Sequence, residues 1–218
     1  TYFGQLAAVY GTVSPAPGVV VGAGLLIDIE FGRDLEENRD ATEPYLFLES
    51  ELGSGVLRFG NLDRRRQDLH HALIAPELRY DRPADRGLAF RRDGERTTVR
   101  SWIQWRVQER EDRRELFDVG GTVVWRPSEE GGAVPVIEAE MHIVHVGGQM
   151  SAVGRLEESW GLLAGPVWTA DLGDSGWAAE LAARAGATAD RRFRHDGRGA
   201  EARLAMLRGG FQAWICQW

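Results

Sequence analysis

The chain has 218 residues, of which 43% are hydrophobic and 27% are charged, a balance typical of a folded globular protein. All 26 basic residues are arginine, and the net charge of −7 provides no positive field for a phosphate backbone, so the sequence excludes nucleic acid as a partner. The longest apolar run, residues 18–27, is too short for a membrane-crossing helix, which needs about 20 apolar residues.

Most of the chain shows the short alternation of apolar and polar residues that is typical of β-strands. The segments that show it are 18–29, 45–59, 97–102, 122–125, 134–146 and 149–156. Glycine pairs at 120–121, 131–132 and 147–148 are typical of turns between antiparallel strands. We therefore expect a meandering, largely antiparallel sheet.

The C-terminal part of the chain has a different composition. Residues 176–187 and 199–215 carry Ala, Leu, Arg and Glu at spacings that favour helices. The mixed-charge runs at 34–40 and 106–115 indicate solvated loops. We predict a mainly β fold of the α+β class, a twisted, largely antiparallel sheet with a helical C-terminal segment, as a single domain over residues 1–218.

Two motifs in the middle of the chain resemble a known enzyme signature. They are WRPSEE at residues 125–130 and EAEMHIVH at residues 138–145. These motifs resemble the His-x-His-x-Pro-Ser-Glu-His and Glu-Leu-His-Leu-Val-His segments of the alpha-class carbonic anhydrases. With weaker matches in the same order, the resemblance covers about residues 66–158 and leaves residues 1–60 and 159–218 divergent.

The resemblance implies where a catalytic zinc would be held. The first two histidine ligands of the family fall on Val123 and Trp125, and the third falls on His142. Because Val and Trp offer no lone pair to a metal, only His142 is retained, and we expect zinc to be absent, with no other cofactor and no metal site. The proton-shuttling histidine of the family falls on Glu95, and another family histidine falls on Glu130. These losses predict a pseudoenzyme without catalytic residues.

Two acidic residues of the signature are retained. In the family, the position of Glu129 contacts a gatekeeper hydroxyl, and the position of Glu140 orients the third zinc ligand. Since Glu140 and His142 are two residues apart on one strand, they share a face, and we favour a buried hydrogen-bonded pair over a residual catalytic site. The aligned zinc cavity should also bury Trp125. His145 should point to the opposite face.

Two alternatives stay open. One is an active zinc-dependent carbonate dehydratase or hydratase with a displaced metal, in which His142 is joined by His145, His70 or Glu130. The other is a small-molecule binding module that uses a cleft above Trp125.

The retained framework with an emptied site favours a structural or interaction subunit of a larger assembly, including a membrane-associated one. Protein partners should contact the divergent ends, residues 1–60 and 159–218, which hold most of the unassigned tryptophans and the single cysteine, Cys216. We expect no nucleic-acid partner and no transmembrane segment in the chain itself. The compartment stays open, although the resemblance favours an extracytoplasmic setting, periplasmic or secreted, or an organelle lumen such as the thylakoid lumen.

Overall fold

The computed structural model describes residues 4–30, 42–63, 69, 73, 84–112, 114–127, 134–148, 157–172, 176–190, 195–208 and 211–217. In chain order, the strands are β1 (Gly4–Ala16), β2 (Val19–Glu30), β3 (Glu43–Leu52), β4 (Gly55–Asp63), β5 (Ala84–Asp93), β6 (Thr97–Val107), β7 (Glu115–Trp125), β8 (Val136–Gly147), β9 (Glu157–Asp171), β10 (Ala178–Asp190), β11 (His195–Arg208) and β12 (Phe211–Gln217). Within these residues, each strand pairs antiparallel with the next, and the twelve strands form one sheet without a crossover. Within the described ranges, no helix is long and apolar enough to cross a membrane.

The predicted helices at residues 176–187 and 199–215 are wrong, because these segments form β10, β11 and β12. In β10, Glu180 and Arg184 lie on one face and the exposed Leu181 lies on the other, a period of two instead of 3.6. Helix propensity is a weak preference, and pairing of β10 with both β9 and β11 overrides it. The described residues therefore form an all-β sheet, and the mixed α+β class is wrong.

The divergent C-terminal part, residues 159–218, contains both predicted helices and was predicted to contact protein partners. Strands β11 and β12 instead continue the sheet beyond β10. Contact of this part with protein partners and the single domain over residues 1–218 stay predictions.

The glycine pair at 120–121 lies inside β7 and not in a turn. Gly120 pairs with Trp102 of β6, and a Cβ atom placed on Gly120 would lie only 2.1 Å from Trp102 Cζ2. Glycine at this position makes room for an indole ring that lies across β7. Gly120 is therefore a point where the Trp102 side chain approaches the backbone of β7 closely. The antiparallel meander that the glycine pairs predicted is nevertheless present.

The two faces of the sheet differ in chemistry. The face that we call the polar face carries these buried polar side chains: Gln104, Asp118, Thr122, Glu140, His142, Arg184 and Glu201. The opposite, apolar face has a row of paired hydrophobic residues that crosses β1 to β10: Val13, Val21, Leu48, Phe59, Leu88, Ile103, Val119, Ile143, Trp160 and Ala189. Phe59 is 62% exposed in this row. An antiparallel sheet that faces water on one side is usually polar on that side, so the pattern here is inverted.

The connection between β4 and β5 contributes two described residues, Leu69 and Leu73, to the polar face. Leu69 is buried in an apolar cluster with Leu62 and Trp102, and Leu73 packs against that cluster. Leu73 also approaches Gly161 of β9, where an added Cβ atom would lie 2.7 Å from Leu73 Cδ2. The connection therefore brings apolar side chains next to the buried polar groups of β6 to β8.

Candidate active site

Asp118 is the centre of a buried polar cluster on β6, β7 and β8. Its side chain is fully buried, and its Oδ2 atom accepts hydrogen bonds from Arg106 Nη2 at 2.6 Å and from Gln104 Nε2 at 3.2 Å. His142 Nε2 lies 3.3 Å from the same oxygen. A buried carboxylate is costly unless it is paired and hydrogen-bonded, and these donors stabilise it.

His142 contacts an acceptor at each ring nitrogen. Nε2 faces Asp118, and Nδ1 lies 2.9 Å from the backbone carbonyl oxygen of Leu73. A carbonyl oxygen only accepts, so Nδ1 carries a hydrogen in this contact. The ring can donate to both neighbours only when both nitrogens are protonated. The Leu73 carbonyl therefore occupies the position from which a water or a substrate would reach Nδ1.

Trp102 borders this cluster. Gly120 of β7 pairs with Trp102 on one side and with His142 on the other, so the three residues form one row across β6, β7 and β8. The Trp102 side chain is buried, and its ring covers Gly120. The indole therefore covers β7 in the row that ends at His142.

A second charged cluster lies on β8, β10 and β11. Arg184 Nη2 donates to Glu138 at 2.6 Å, and Arg184 Nη1 donates to Glu201 at 3.2 Å. Gly165 of β9 pairs with Glu138, and a Cβ atom there would lie 2.0 Å from the backbone oxygen of Ala183, so glycine allows the backbone of β10 to approach closely. Burial alone would lower the pKa of Arg184, but the hydrogen bonds and charges of Glu138 and Glu201 outweigh it and raise that pKa above its ordinary value.

Two cavities flank the Asp118 cluster. A polar cavity of about 330 Å³ lies toward the other end of β6 to β8, and its charged lining includes Arg100, Glu138 and Glu140. A more apolar cavity of about 240 Å³ starts at Leu73 and extends over β9 to β11. Its lining includes Leu163, Gly186, Thr188, Gly197 and Gly199.

The structure separates the residues of the predicted zinc site. His142 and Glu140 are buried on the polar face, as strand alternation predicts, but the hydrogen bonds of His142 described above go to Asp118 and Leu73. Val123 and Trp125 are 42% and 47% exposed on the apolar face, so the prediction of a buried Trp125 that shares a cavity with His142 is wrong. His142 pairs with Gly120 of β7. Val123 and Trp125 lie an odd number of residues from Gly120 on that strand, so strand alternation places their side chains on the face opposite to His142.

The remaining predicted positions lie apart from the cluster. Glu95 is exposed in the turn between β5 and β6. His145 lies on the face opposite to His142, and its ring centroid is 4.9 Å from that of Phe117. Glu129, Glu130 and His70 lie outside the described residues.

The sequence did not single out Gln104, Arg106 or Asp118. Arg106 was assigned to a solvated loop, yet it lies in β6 and its side chain is only 10% exposed. A signal was present, because Gln104 and Arg106 alternate with Ile103 and Trp105. Alternation alone does not tell which face is buried, and the usual assumption of an apolar interior selects the wrong one here.

Among the residues that the structure describes, no group of three or more His, Cys, Asp and Glu side chains could hold a metal ion. The absence of zinc from the protein stays a prediction, and metal analysis of the purified protein tests it. The chemistry available in the described cluster is that of a carboxylate, an imidazole and their hydrogen-bond donors.

A carboxylate paired with an imidazole on the buried face of an all-β sheet is the type of site that hydrolases use to move a proton. A family model described as Lipid A 3'-O-deacylase-type matches residues 1–198 of the sequence. The chain belongs to this family. No curated protein and no solved structure matches it.

This family assignment overturns the resemblance to carbonic anhydrases and the functions that were based on it. The chain is not a carbonic-anhydrase-like pseudoenzyme acting as an accessory subunit, and the displaced-zinc hydratase is likewise rejected. The motif letters at residues 125–130 and 138–145 coincide with the signature, but the paired strands do not bring the aligned positions to one face.

Proposed function

We propose that the chain hydrolyses an acyl ester of lipid A, with His142 as general base and Asp118 as the carboxylate that orients it. The observation that carries this proposal is the 3.3 Å contact between His142 Nε2 and Asp118 Oδ2 in a member of a deacylase-type family. Such a carboxylate fixes the orientation of the ring and stabilises the imidazolium that forms when the ring accepts a proton.

The reaction requires that a water replaces the Leu73 carbonyl at His142 Nδ1. The single ring hydrogen must then lie on Nε2, which donates it to Asp118 Oδ2, so that Nδ1 has a free lone pair. The nitrogen then takes a proton from this water while the water oxygen attacks the carbonyl carbon of the ester. The bond from that carbon to the sugar oxygen breaks, and the proton passes from the imidazolium to the sugar oxygen. The products are a free fatty acid and a sugar hydroxyl, and Nε2 keeps its hydrogen bond to Asp118 throughout.

The apolar cavity next to Leu73 supports an acyl substrate. Leu73 is both a wall of this cavity and the residue whose carbonyl contacts His142, so the cavity begins at the proposed reaction centre. Glycine at 186, 197 and 199 keeps the cavity open on the β10 and β11 side. We infer that part of the released acyl chain lies here.

The apolar face supports contact with lipid. Its hydrophobic row is continuous across ten strands, and it includes exposed large side chains such as Phe59 and Trp160. An exposed apolar surface of this extent marks an interaction site, and acyl chains of lipids match its chemistry. We infer that this face lies against lipid, which also places the chain close to a lipid substrate.

The test is the release of fatty acid from purified lipid A, followed by mass spectrometry of the remaining lipid. His142→Gln should lower the rate by about 10²- to 10⁴-fold, the usual contribution of a general base. His145→Gln is the matched control, because it removes an imidazole from the same strand on the opposite face, and it should leave the rate unchanged. A wild-type protein that releases no acyl chain, or a His142→Gln variant with full activity, contradicts the proposal.

A further inference from the structure

We propose that the indole Nε1–H of Trp102 donates a hydrogen bond to the carbonyl oxygen of the bound acyl ester. This inference rests on the proposed function, and it adds a substrate-binding group that neither the family match nor the sequence motifs indicate. It starts from a donor whose environment is otherwise unexplained.

The Trp102 side chain is buried, with 5% of its surface exposed. Its Nε1 atom has no hydrogen-bond acceptor among the described residues. A buried tryptophan N–H usually finds a partner, since a buried donor without one forfeits the hydrogen bond that it makes with water in the unfolded chain. An unsatisfied donor beside a proposed catalytic pair is the arrangement expected of a group that bonds to substrate.

The indole ring lies over β7, in the paired row that leads to His142 on β8. A Cβ atom placed on Gly120 would lie 2.1 Å from Trp102 Cζ2 and 2.5 Å from Cε2, so this edge of the indole lies directly over Gly120. Nε1 is bonded to Cε2 and therefore belongs to the same edge. Gly120 pairs with His142, and because glycine has no side chain, β7 places none between the indole and the imidazole in this row.

Two other donors of the cluster already bind the Asp118 carboxylate. Arg106 and Gln104 donate to the Asp118 carboxylate. When water attacks an ester, the carbonyl oxygen gains negative charge, and a donor fixed in place before the reaction stabilises that charge without reorganisation. Trp102 Nε1–H can donate this hydrogen bond, while His142 accepts the proton of the attacking water and Asp118 orients the His142 ring.

The experiment replaces the N–H of the indole and keeps its shape. Trp102→3-benzothienylalanine, introduced at a reassigned codon, exchanges the N–H for sulfur, which cannot donate. The same replacement at Trp177 is the control, because Trp177 lies just before β10, where its ring contacts Arg208, and is not part of the proposed site or of the apolar row. We expect kcat for lipid A deacylation to fall by about 10²- to 10³-fold for the Trp102 variant, as for loss of one donor to an oxyanion, and to be unchanged for the Trp177 variant.

A second measurement does not depend on turnover. The ¹⁵N-indole resonance of Trp102, assigned by its loss in the benzothienyl variant, is followed while a lipid A analogue with an amide in place of the 3' ester is added. A downfield shift of the Trp102 N–H proton supports the hydrogen bond. An unchanged resonance in the presence of saturating analogue overturns it and means that the donor serves packing or a bound water.

The two measurements separate this inference from the proposed function. Deacylation by the wild type without a Trp102 shift and with an active benzothienyl variant overturns the role of Trp102 and leaves the function intact. A shift without deacylation overturns the function and supports Trp102 as a ligand-binding group. Absence of both overturns both.

Discussion

Asp118 and His142 meet through one carboxylate oxygen, with Oδ2 of Asp118 3.3 Å from Nε2 of His142 and 2.6 Å from Nη2 of Arg106. The residues come from adjacent strands and are diagonal neighbours, since the direct partner of His142 is Gly120. The Asp118 carboxylate therefore contacts both the imidazole of His142, the proposed general base, and the nearly buried guanidinium of Arg106.

Asp118→Asn should remove that charge with little change in shape. The buried Arg106 cation then loses its carboxylate, and the free energy of unfolding should fall by roughly 3–5 kcal/mol in a denaturant titration. Deacylation should fall as well, because the ring loses its orienting partner. Asp93→Asn is the control, since the ion pair of Asp93 with Arg91 is more than half exposed and should contribute under about 1 kcal/mol. Equal effects of the two variants would contradict the central role of Asp118.

Gly120→Ala should destabilise the protein through Trp102. The new Cβ atom would collide with the indole, and overpacking of this kind costs about 1–3 kcal/mol. Gly11→Ala is the matched control in β1, where an added Cβ atom meets nothing within 4 Å. Alanine is favoured over glycine in a strand by about 0.5–1 kcal/mol, so this control should be neutral or slightly stabilising. Similar midpoints of thermal unfolding for both variants would show that the indole does not lie over Gly120.

Arg184→Met should destabilise the protein by an amount that does not change between pH 7 and pH 10. The pKa of Arg184 is raised in the folded protein, so its contribution to stability is complete below the ordinary arginine pKa and is lost only as the pH rises through the raised value. Loss of the cation leaves Glu138 and Glu201 facing each other across an apolar side chain, with a cost of roughly 3–5 kcal/mol. The measurement is the difference in unfolding free energy between the wild type and Arg184→Met at several pH values. A difference that shrinks steadily from pH 7 to pH 10 would contradict the raised pKa of Arg184.

The sequence predicted several strands in the first two thirds of the chain, but it predicted neither the C-terminal strands nor the buried face. Alternation identified the segments that became β2, β3 and β8, because side-chain period follows directly from strand geometry. In β10 the alanines suggested a helix, since propensity is local, whereas pairing with β9 and β11 depends on residues that are distant in sequence.

The candidate site was predicted only in part for a related reason. His142 and Glu140 were singled out by a family resemblance that proved wrong, and only their shared face was derived from geometry. Asp118 was missed because its importance depends on the register of β7 with β6 and β8, which brings Gln104 and His142 to it. The sequence also does not reveal that the buried face is the polar one.

Gly199→Leu should shorten the acyl chains that the protein accepts. The residues Glu140, Leu163, Gly186 and Gly199 form one paired row from β8 to β11, a path of roughly 14 Å at the usual strand spacing. A Cβ atom on Gly199 meets nothing within 4 Å, so a leucine there can enter the apolar cavity without displacing the backbone.

We expect this variant to hydrolyse esters of short fatty acids at the wild-type rate and to lose activity on long-chain esters by about tenfold or more, since the tail then competes with the leucine for the same space. The measurement is kcat/KM over a series of acyl chain lengths. Gly11→Leu, at an equally open position on β1, controls for the general effect of a leucine in a strand and should leave the chain-length profile unchanged. A Gly199→Leu profile that falls equally for short and long chains would show that the cavity does not hold the acyl tail, because a steric block at its far end can affect only the chains that reach it.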